Sequence, residues 1–185
     1  MAQEAFTADS KTDFSTQLKK AQSAGADLVF LPIYYTEASV ILTQADAMGY
    51  DPLFFGVDGM DGILTVENFD TSLAEGLMLL TPFAADAQDE MTQAFVKKYQ
   101  ESYEDIPNQF AADAYDAVYI IKAAIEEAGV TPDMSTEEIG AALTDAMTRI
   151  TVDGLTGEQM TWLETGEVSK EPKAVVIRDG AYTAM

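Results

Sequence analysis

The chain has 185 residues and a net charge of −22, from 32 acidic and 10 basic side chains. A surface this negative repels phosphate backbones, so no nucleic-acid partner is expected. The absence of Cys and His excludes disulfides, thiolate nucleophiles and the commonest zinc ligands. Because 48% of the residues are apolar, we predict an ordinary folded protein. We also predict that it binds no metal and no cofactor.

Neither a membrane span nor a secretory leader is visible in the sequence. The longest apolar run, residues 28–35, contains Pro32 and is far shorter than the roughly 20 residues that cross a bilayer. Residues 1–6 lack the basic flank and apolar centre of a signal peptide. We therefore expect either a cytoplasmic protein or one whose leader has been removed.

Apolar periodicity in the first half predicts strands that alternate with helices. The predicted elements are a helix over 14–24, a strand over 27–32, a helix capped by Thr36 and ended by Gly49, and strands over 53–56 and 76–81. The first two strands show no polar alternation, which predicts burial on both faces. A spacing of about 25 residues predicts right-handed crossovers and a doubly wound parallel α/β sheet.

The second half predicts three further helices and a β-hairpin. The helices are expected over 86–104, over 108–128 and from the Ser135 capping box to about Met147. Asp179-Gly180, between strands over 173–178 and 181–184, is typical of a type I′ turn. We divide the chain into a sheet core (1–85), a helical segment (86–150) and a C-terminal crossover with its hairpin (151–185).

Three polar side chains follow the predicted strands. Ligands of open α/β sheets bind beyond the carboxyl ends of the strands, which is where Tyr34, Tyr35 and Asp58 are expected. Glycines at 56 and 59 are expected to let the backbone turn sharply and leave the Asp58 carboxylate open to a cationic group. The alternative is that Asp58 only shapes its turn and that Tyr34 packs on the next helix.

Other acidic groups carry weaker signals. Asp58, Asp61 and Glu67 lack the ligand spacing of a calcium loop. Paired acids such as Glu126 and Glu127 are better explained as surface charge than as hydrolytic carboxylates. The sequence has no nucleophile elbow, phosphate-binding loop or dinucleotide fingerprint, so we predict no enzymatic activity.

In their order along the chain, several short stretches resemble the branched-chain amino-acid-binding proteins of bacterial ABC transporters. These stretches are 12–18, 24–30, 34–38, 45–50, 55–59, 74–77, 99–103, 110–117, 154–157 and 175–182. The resemblance implies a type I periplasmic-binding-protein fold, a clamp of two α/β lobes that closes on a ligand. It also implies an extracytoplasmic location, as a periplasmic protein or a cell-surface lipoprotein, with the leader outside this chain.

The resemblance assigns roles to particular residues. The position of Asp58 matches the acid that takes the ligand α-ammonium, and that of Tyr34 matches a tyrosine that contacts the ligand. Phe110, before the long helix, matches an aromatic residue that lines the cleft. The implied ligand is a branched-chain or related amino acid or an amide, and the implied partner is the membrane permease of the transporter.

Members of that family are about twice this length, the size of two domains. The resemblance therefore implies that the chain corresponds to the C-terminal half and that residues 86–150 pack on a first lobe lying outside it. Without that lobe, apolar side chains of this segment would be exposed and would favour a homodimer or pairing with the N-terminal half. Two alternatives remain open: a ligand-sensing domain of a receptor with the same clamp, and a carboxylate-based hydrolase.

Overall fold

The computed structural model describes residues 3–185, which form two compact units. The first unit runs up to Asp86 and takes in Lys173–Met185, whereas the second comprises Ala87–Pro172. The sequence boundary at residue 151 thus lies inside the second unit. Among the described residues, no helix is both long and apolar enough to cross a bilayer.

The first unit is built on one five-stranded sheet. Its strands are β1 (Leu28–Leu31), β2 (Leu53–Gly56), β3 (Met78–Thr81), β4 (Lys173–Arg178) and β5 (Ala181–Ala184), and they lie in chain order. The β1, β2 and β3 strands are parallel, and β4 and β5 continue the sheet antiparallel. The predicted α/β class is confirmed, with an antiparallel hairpin at one side of the parallel strands.

Two helices flank β1 in the chain, one before it and one between β1 and β2, as the apolar periodicity predicts. Helix α1 spans Ser15–Ser23 and α2 spans Tyr35–Ala47. The predicted cap at Thr36 is wrong, because Tyr34 is the extended N-cap residue and Thr36 lies inside the helix. Three short 3-10 turns, at Asp58–Met60, Ile63–Thr65 and Thr71–Ala74, connect β2 to β3.

The expectation that the first two strands are buried on both faces is wrong. Leu28, Phe30 and Leu53 are 52%, 54% and 60% exposed. Pairing of Leu28 with Leu53 places these side chains on the same face. The opposite face is covered, since Leu31 and Leu79 are buried. Strand β1 is also an edge strand, paired only with β2 within the described part of the chain.

The C-terminal hairpin has the predicted turn. Arg178 pairs with Ala181, and Asp179 and Gly180 have φ values of 52° and 71°. Two consecutive left-handed residues are what a type I′ turn requires, which explains the Asp-Gly sequence.

The second unit contains three helices, α3 (Glu90–Tyr103), α4 (Gln109–Ala128) and α5 (Thr136–Met147). Each N-cap side chain, from Asp89, Asn108 and Ser135 respectively, accepts a backbone hydrogen bond, as N-caps of these residue types do. The predicted capping box at Ser135 is confirmed. Helix α3 begins at Glu90, four residues later than predicted and directly after its N-cap residue, Asp89.

Helix α4 carries apolar residues on more than one face. Ala124 packs with Ala146 and Ile150 in the core of the second unit, and Trp162 packs against that cluster. Away from this core, Val118 and Ile121 are more than half exposed, and the tilted rings of Tyr115 and Tyr119 lie 4.8 Å apart between centroids. A helix that is apolar around most of its circumference usually has neighbours on both sides.

Candidate functional site

The segments that follow β1 and β2 begin at the same edge of the sheet. Leu31, the last residue of β1, pairs with Gly56, the last residue of β2. Tyr34 follows the first of these strand ends by three residues, and Asp58 follows the second by two. The parallel register therefore places both predicted residues beyond the carboxyl ends of neighbouring strands.

The tyrosine pair lies at the start of α2. Tyr34 has φ −85° and ψ 159°, and its carbonyl accepts a hydrogen bond from the Ala38 N–H at 3.1 Å. Its side chain is 64% exposed, and Tyr35, the first helical residue, is half-buried. The helix start thus fixes the Tyr34 backbone while the phenol remains accessible.

Asp58 opens the 3-10 turn Asp58–Met60 and is exposed. The Met60 N–H donates to the Val57 carbonyl at 2.9 Å, and the Asp61 N–H donates to the Asp58 carbonyl at 3.0 Å. The Met60 side chain is fully buried and anchors the turn to the core. The Asp58 side chain is thereby presented from a backbone that is hydrogen-bonded on both sides.

The flanking glycines are needed for space and not for a sharp turn, which corrects the expectation from the sequence. Neither Gly56 nor Gly59 is among the described residues with positive φ. A Cβ on Gly56 would overlap the Met60 sulfur. A Cβ on Gly59 would lie 2.7 Å from the Ile33 carbonyl oxygen and 3.3 Å from Tyr34 Cδ1. Gly59 therefore brings the two post-strand segments into direct contact.

Tyr182 of β5 supports the segment after the Asp58 turn. The Gly62 N–H donates to the Tyr182 Oη at 2.9 Å. Burial raises the pKa of the Tyr182 phenol strongly, and the nearby charge of Asp61 raises it further. Tyr182 could not be assigned to this region from the sequence, because a contact across 120 positions leaves no local pattern.

Phe110 belongs to the second unit. It is the second residue of α4 and 37% exposed, so the expectation that it lies before the long helix is wrong. The Asn108 side chain caps this helix start by accepting from the Ala111 N–H at 3.2 Å. The role of Phe110 in lining a cleft remains a prediction.

The arrangement in the first unit suits binding of a small cation with an apolar part. An exposed carboxylate forms charge-assisted hydrogen bonds with an ammonium group, and a phenol ring supplies both apolar surface and a polar tip. No group of three or more acidic side chains positioned to hold a metal occurs within residues 3–185.

A groove in the first unit lies away from these residues. It has a volume of about 380 Å³ and lies where β2 and β3 begin, next to Asp51, Leu53 and Gly76. None of the predicted site residues lines it. An open α/β sheet binds its ligands at the carboxyl ends of its strands, so this groove, at the amino ends of β2 and β3, is not assigned to the site.

The same architecture occurs in solved structures of solute-binding proteins. A leucine-binding protein from Thermotoga maritima superposes with a TM-score of 0.78 and 26% identity, over 94% of this chain and 48% of that chain. The branched-chain amino acid transporter substrate-binding protein of Streptococcus pneumoniae, solved with isoleucine, also gives 0.78 and 26%, over 97% and 49%. The fold is thus that of a type I periplasmic-binding-protein lobe.

The chain belongs to the periplasmic binding protein family, whose model matches residues 1–181. It is 29% identical over 131 residues to a leucine-, isoleucine-, valine-, threonine- and alanine-binding protein of Pseudomonas aeruginosa, covering 71% of this chain and 34% of that protein. These findings confirm the predicted resemblance. The chain spans about a third of this curated relative and about half of the two solved structures.

Proposed function

We propose that this chain forms one wall of an amino-acid-binding site in an extracytoplasmic solute-binding protein of an ABC transporter. The observation that supports this most directly is the register of Leu31 with Gly56, which puts Tyr34 and Asp58 at one edge of the sheet. The relatives support the ligand class, since one is named for binding five neutral amino acids and another was solved with isoleucine.

Each side chain has a distinct role in this proposal. The Asp58 carboxylate accepts hydrogen bonds from the ligand α-ammonium, and the Tyr34 ring packs against the ligand. Tyr35 adds aromatic surface around the apolar side chain of the ligand, and a contribution from Phe110 stays a prediction. These contacts bind a ligand without breaking a bond, so the proposed activity is capture and not catalysis.

One proposed partner is the membrane permease of the transporter. The other is a protein surface that packs against residues 86–150. Val118 and Ile121 of α4 are more than half exposed, and burial of such side chains stabilises by about 25 cal/mol per Å². Either a second copy or an N-terminal half would cover them. Light scattering of the purified chain, alone and with a separately expressed N-terminal half of a relative, tests this association.

The ligand assignment can be tested by titrating the isotopically labelled chain with L-leucine and following backbone amide shifts by NMR. Because the chain is proposed to form only one wall of the site, we expect weak binding, seen as shifts at residues 33–36 and 57–60 at high leucine concentration. 4-Methylpentanoate, which keeps the apolar chain and carboxylate of leucine but lacks the ammonium, should bind more weakly. Asp58→Asn should lower leucine affinity by about tenfold to a hundredfold, since it removes a charge-assisted hydrogen bond worth about 1.5 to 3 kcal/mol.

Asp51→Asn is the matched control. Asp51 is exposed and lies two residues before β2, whereas Asp58 lies two residues after it. The same charge is therefore removed at opposite ends of one strand. Equal affinity losses in both variants would show that only the net charge matters, and unchanged affinity in Asp58→Asn would show that this acid only shapes its turn.

A further inference from the structure

Gly59 lies at the closest contact between the two segments that carry Tyr34 and Asp58. Its ideal Cβ position is 2.7 Å from the Ile33 carbonyl oxygen, 3.3 Å from the Ile33 carbonyl carbon and 3.3 Å from Tyr34 Cδ1. Gly59 is buried, although its neighbour Asp58 and Tyr34 across the contact are both exposed. The contact itself is thus buried from solvent, and the side chains of Asp58 and Tyr34 beside it are accessible.

Conformational freedom does not explain a glycine at this position. Gly59 is not one of the glycines with positive φ, so its backbone conformation suits any residue. The obstacle to a side chain is a backbone carbonyl, which cannot rotate away as the end of a flexible side chain can. Any Cβ at position 59 therefore has to push the Asp58 turn away from the segment before α2.

We infer that Gly59 is a positioning residue that sets the spacing between the Asp58 carboxylate and the Tyr34 ring. This inference rests on the proposed function, and it adds a residue that acts through its two neighbours without touching the ligand. A binding site needs its side chains held within about 0.5 Å of the productive geometry. A methyl group at position 59 forces a displacement of that order.

The contact itself can be measured in the unmodified chain. One Gly59 Hα proton lies along the Cα–Cβ direction, and the Cβ position is 3.3 Å from Tyr34 Cδ1, so we expect a nuclear Overhauser effect between this proton and the Tyr34 ring protons. Its absence would overturn the inference without any variant. This measurement also keeps the inference testable if a substitution at Gly59 prevents folding.

The functional consequence is tested with Gly59→Ala, which should lower leucine affinity by roughly tenfold. Gly140→Ala is the matched control, because Gly140 lies in α5 with no atom within 4 Å of its Cβ position. The control should leave leucine affinity unchanged. A loss of affinity in both variants, or in neither, would contradict the inference.

A double-mutant cycle separates positioning from general destabilisation. If Gly59 acts through Asp58, then Gly59→Ala should cause little further loss in an Asp58→Asn background. Additive losses would overturn the Gly59 inference and leave the proposed function intact. No leucine response in the unmodified chain would instead overturn the proposed function, together with the inference that depends on it.

Discussion

The buried carboxylate of Asp116 accepts two hydrogen bonds from Thr156, one from its backbone N–H at 2.8 Å and one from its hydroxyl at 2.7 Å. The Leu155 N–H donates a third, at 2.9 Å. Asp116 is 3% exposed and Thr156 is fully buried. This carboxylate therefore fixes helix α4 to a turn 40 residues later and satisfies two backbone donors that have no strand partner.

Asp116→Asn should destabilise the second unit by about 2 to 4 kcal/mol. The amide can accept through only one of its two polar atoms, so buried donors lose their partner. Urea unfolding followed by the fluorescence of Trp162, the sole tryptophan, reports on this unit because Trp162 packs against its core. Asp113→Asn is the control: its partner Lys170 lies at 2.8 Å, but Asp113 is 40% exposed, so at most about 1 kcal/mol is expected.

Gly154→Ala should also destabilise the second unit, by about 1 to 3 kcal/mol. A Cβ at this position would lie 2.6 to 2.8 Å from the carboxylate atoms of Asp116, and a buried, hydrogen-bonded carboxylate cannot move away. Trp162 fluorescence in urea again gives the measurement. Gly140→Ala serves as the control, where removal of a helical glycine should stabilise by up to about 1 kcal/mol; equal effects would show that steric contact is not the cause.

Two leucines of the sheet should respond very differently to truncation. Leu79 of β3 is fully buried, so Leu79→Ala should destabilise by about 2 to 5 kcal/mol. Leu53 of β2 is 60% exposed, so Leu53→Ala should change stability by less than about 1 kcal/mol. Urea unfolding followed by circular dichroism compares them. A large loss in Leu53→Ala would mean that the exposed face is covered in solution.

Acid should weaken the start of helix α5. Hydrogen bonds from the Ser135 backbone and hydroxyl lower the pKa of Glu138 below its ordinary value of 4.5. Because the folded-state pKa is the lower one, this stabilisation is present above pH 4.5 and is lost as the pH falls through the folded-state value. NMR titration of the Glu138 carboxyl should show the lowered pKa. Ser135→Ala should return it toward 4.5, whereas Thr136→Ala should leave it lowered.

Local patterns in the sequence predict much of the secondary structure. The Asp179-Gly180 turn and the Ser135 capping box involve residues at most three positions apart, so the sequence determines them directly. The faces of β1 could not be predicted this way. A run such as Leu28–Leu31 is apolar at every position, so its sequence does not distinguish the two faces of the strand. Which face is buried depends on whether distant segments of the chain pack against it.

The candidate site shows the same limit. The positions of Tyr34 and Asp58 follow from strand ends and parallel order, which apolar runs reveal. The role of Gly59 depends on contact with a carbonyl 26 positions earlier, and that of Asp116 on a turn 40 positions later. Neither a glycine nor an aspartate carries a local sequence signal for such a distant partner. The roles of Gly59 and Asp116 therefore depend on the folded structure and could not be predicted from the sequence.

Leu28, Phe30 and Leu53 are the exposed apolar side chains of β1 and β2 described above. They make the solubility of this protein depend on ionic strength. At low salt, copies that each carry a charge of −22 repel one another over long distances. Raising the salt from 0.1 to 1 M shortens the screening length from about 10 Å to about 3 Å, which removes that repulsion and leaves the apolar attraction. Concentrated salt should therefore promote precipitation through this face, and dilute buffer should keep the chain dispersed.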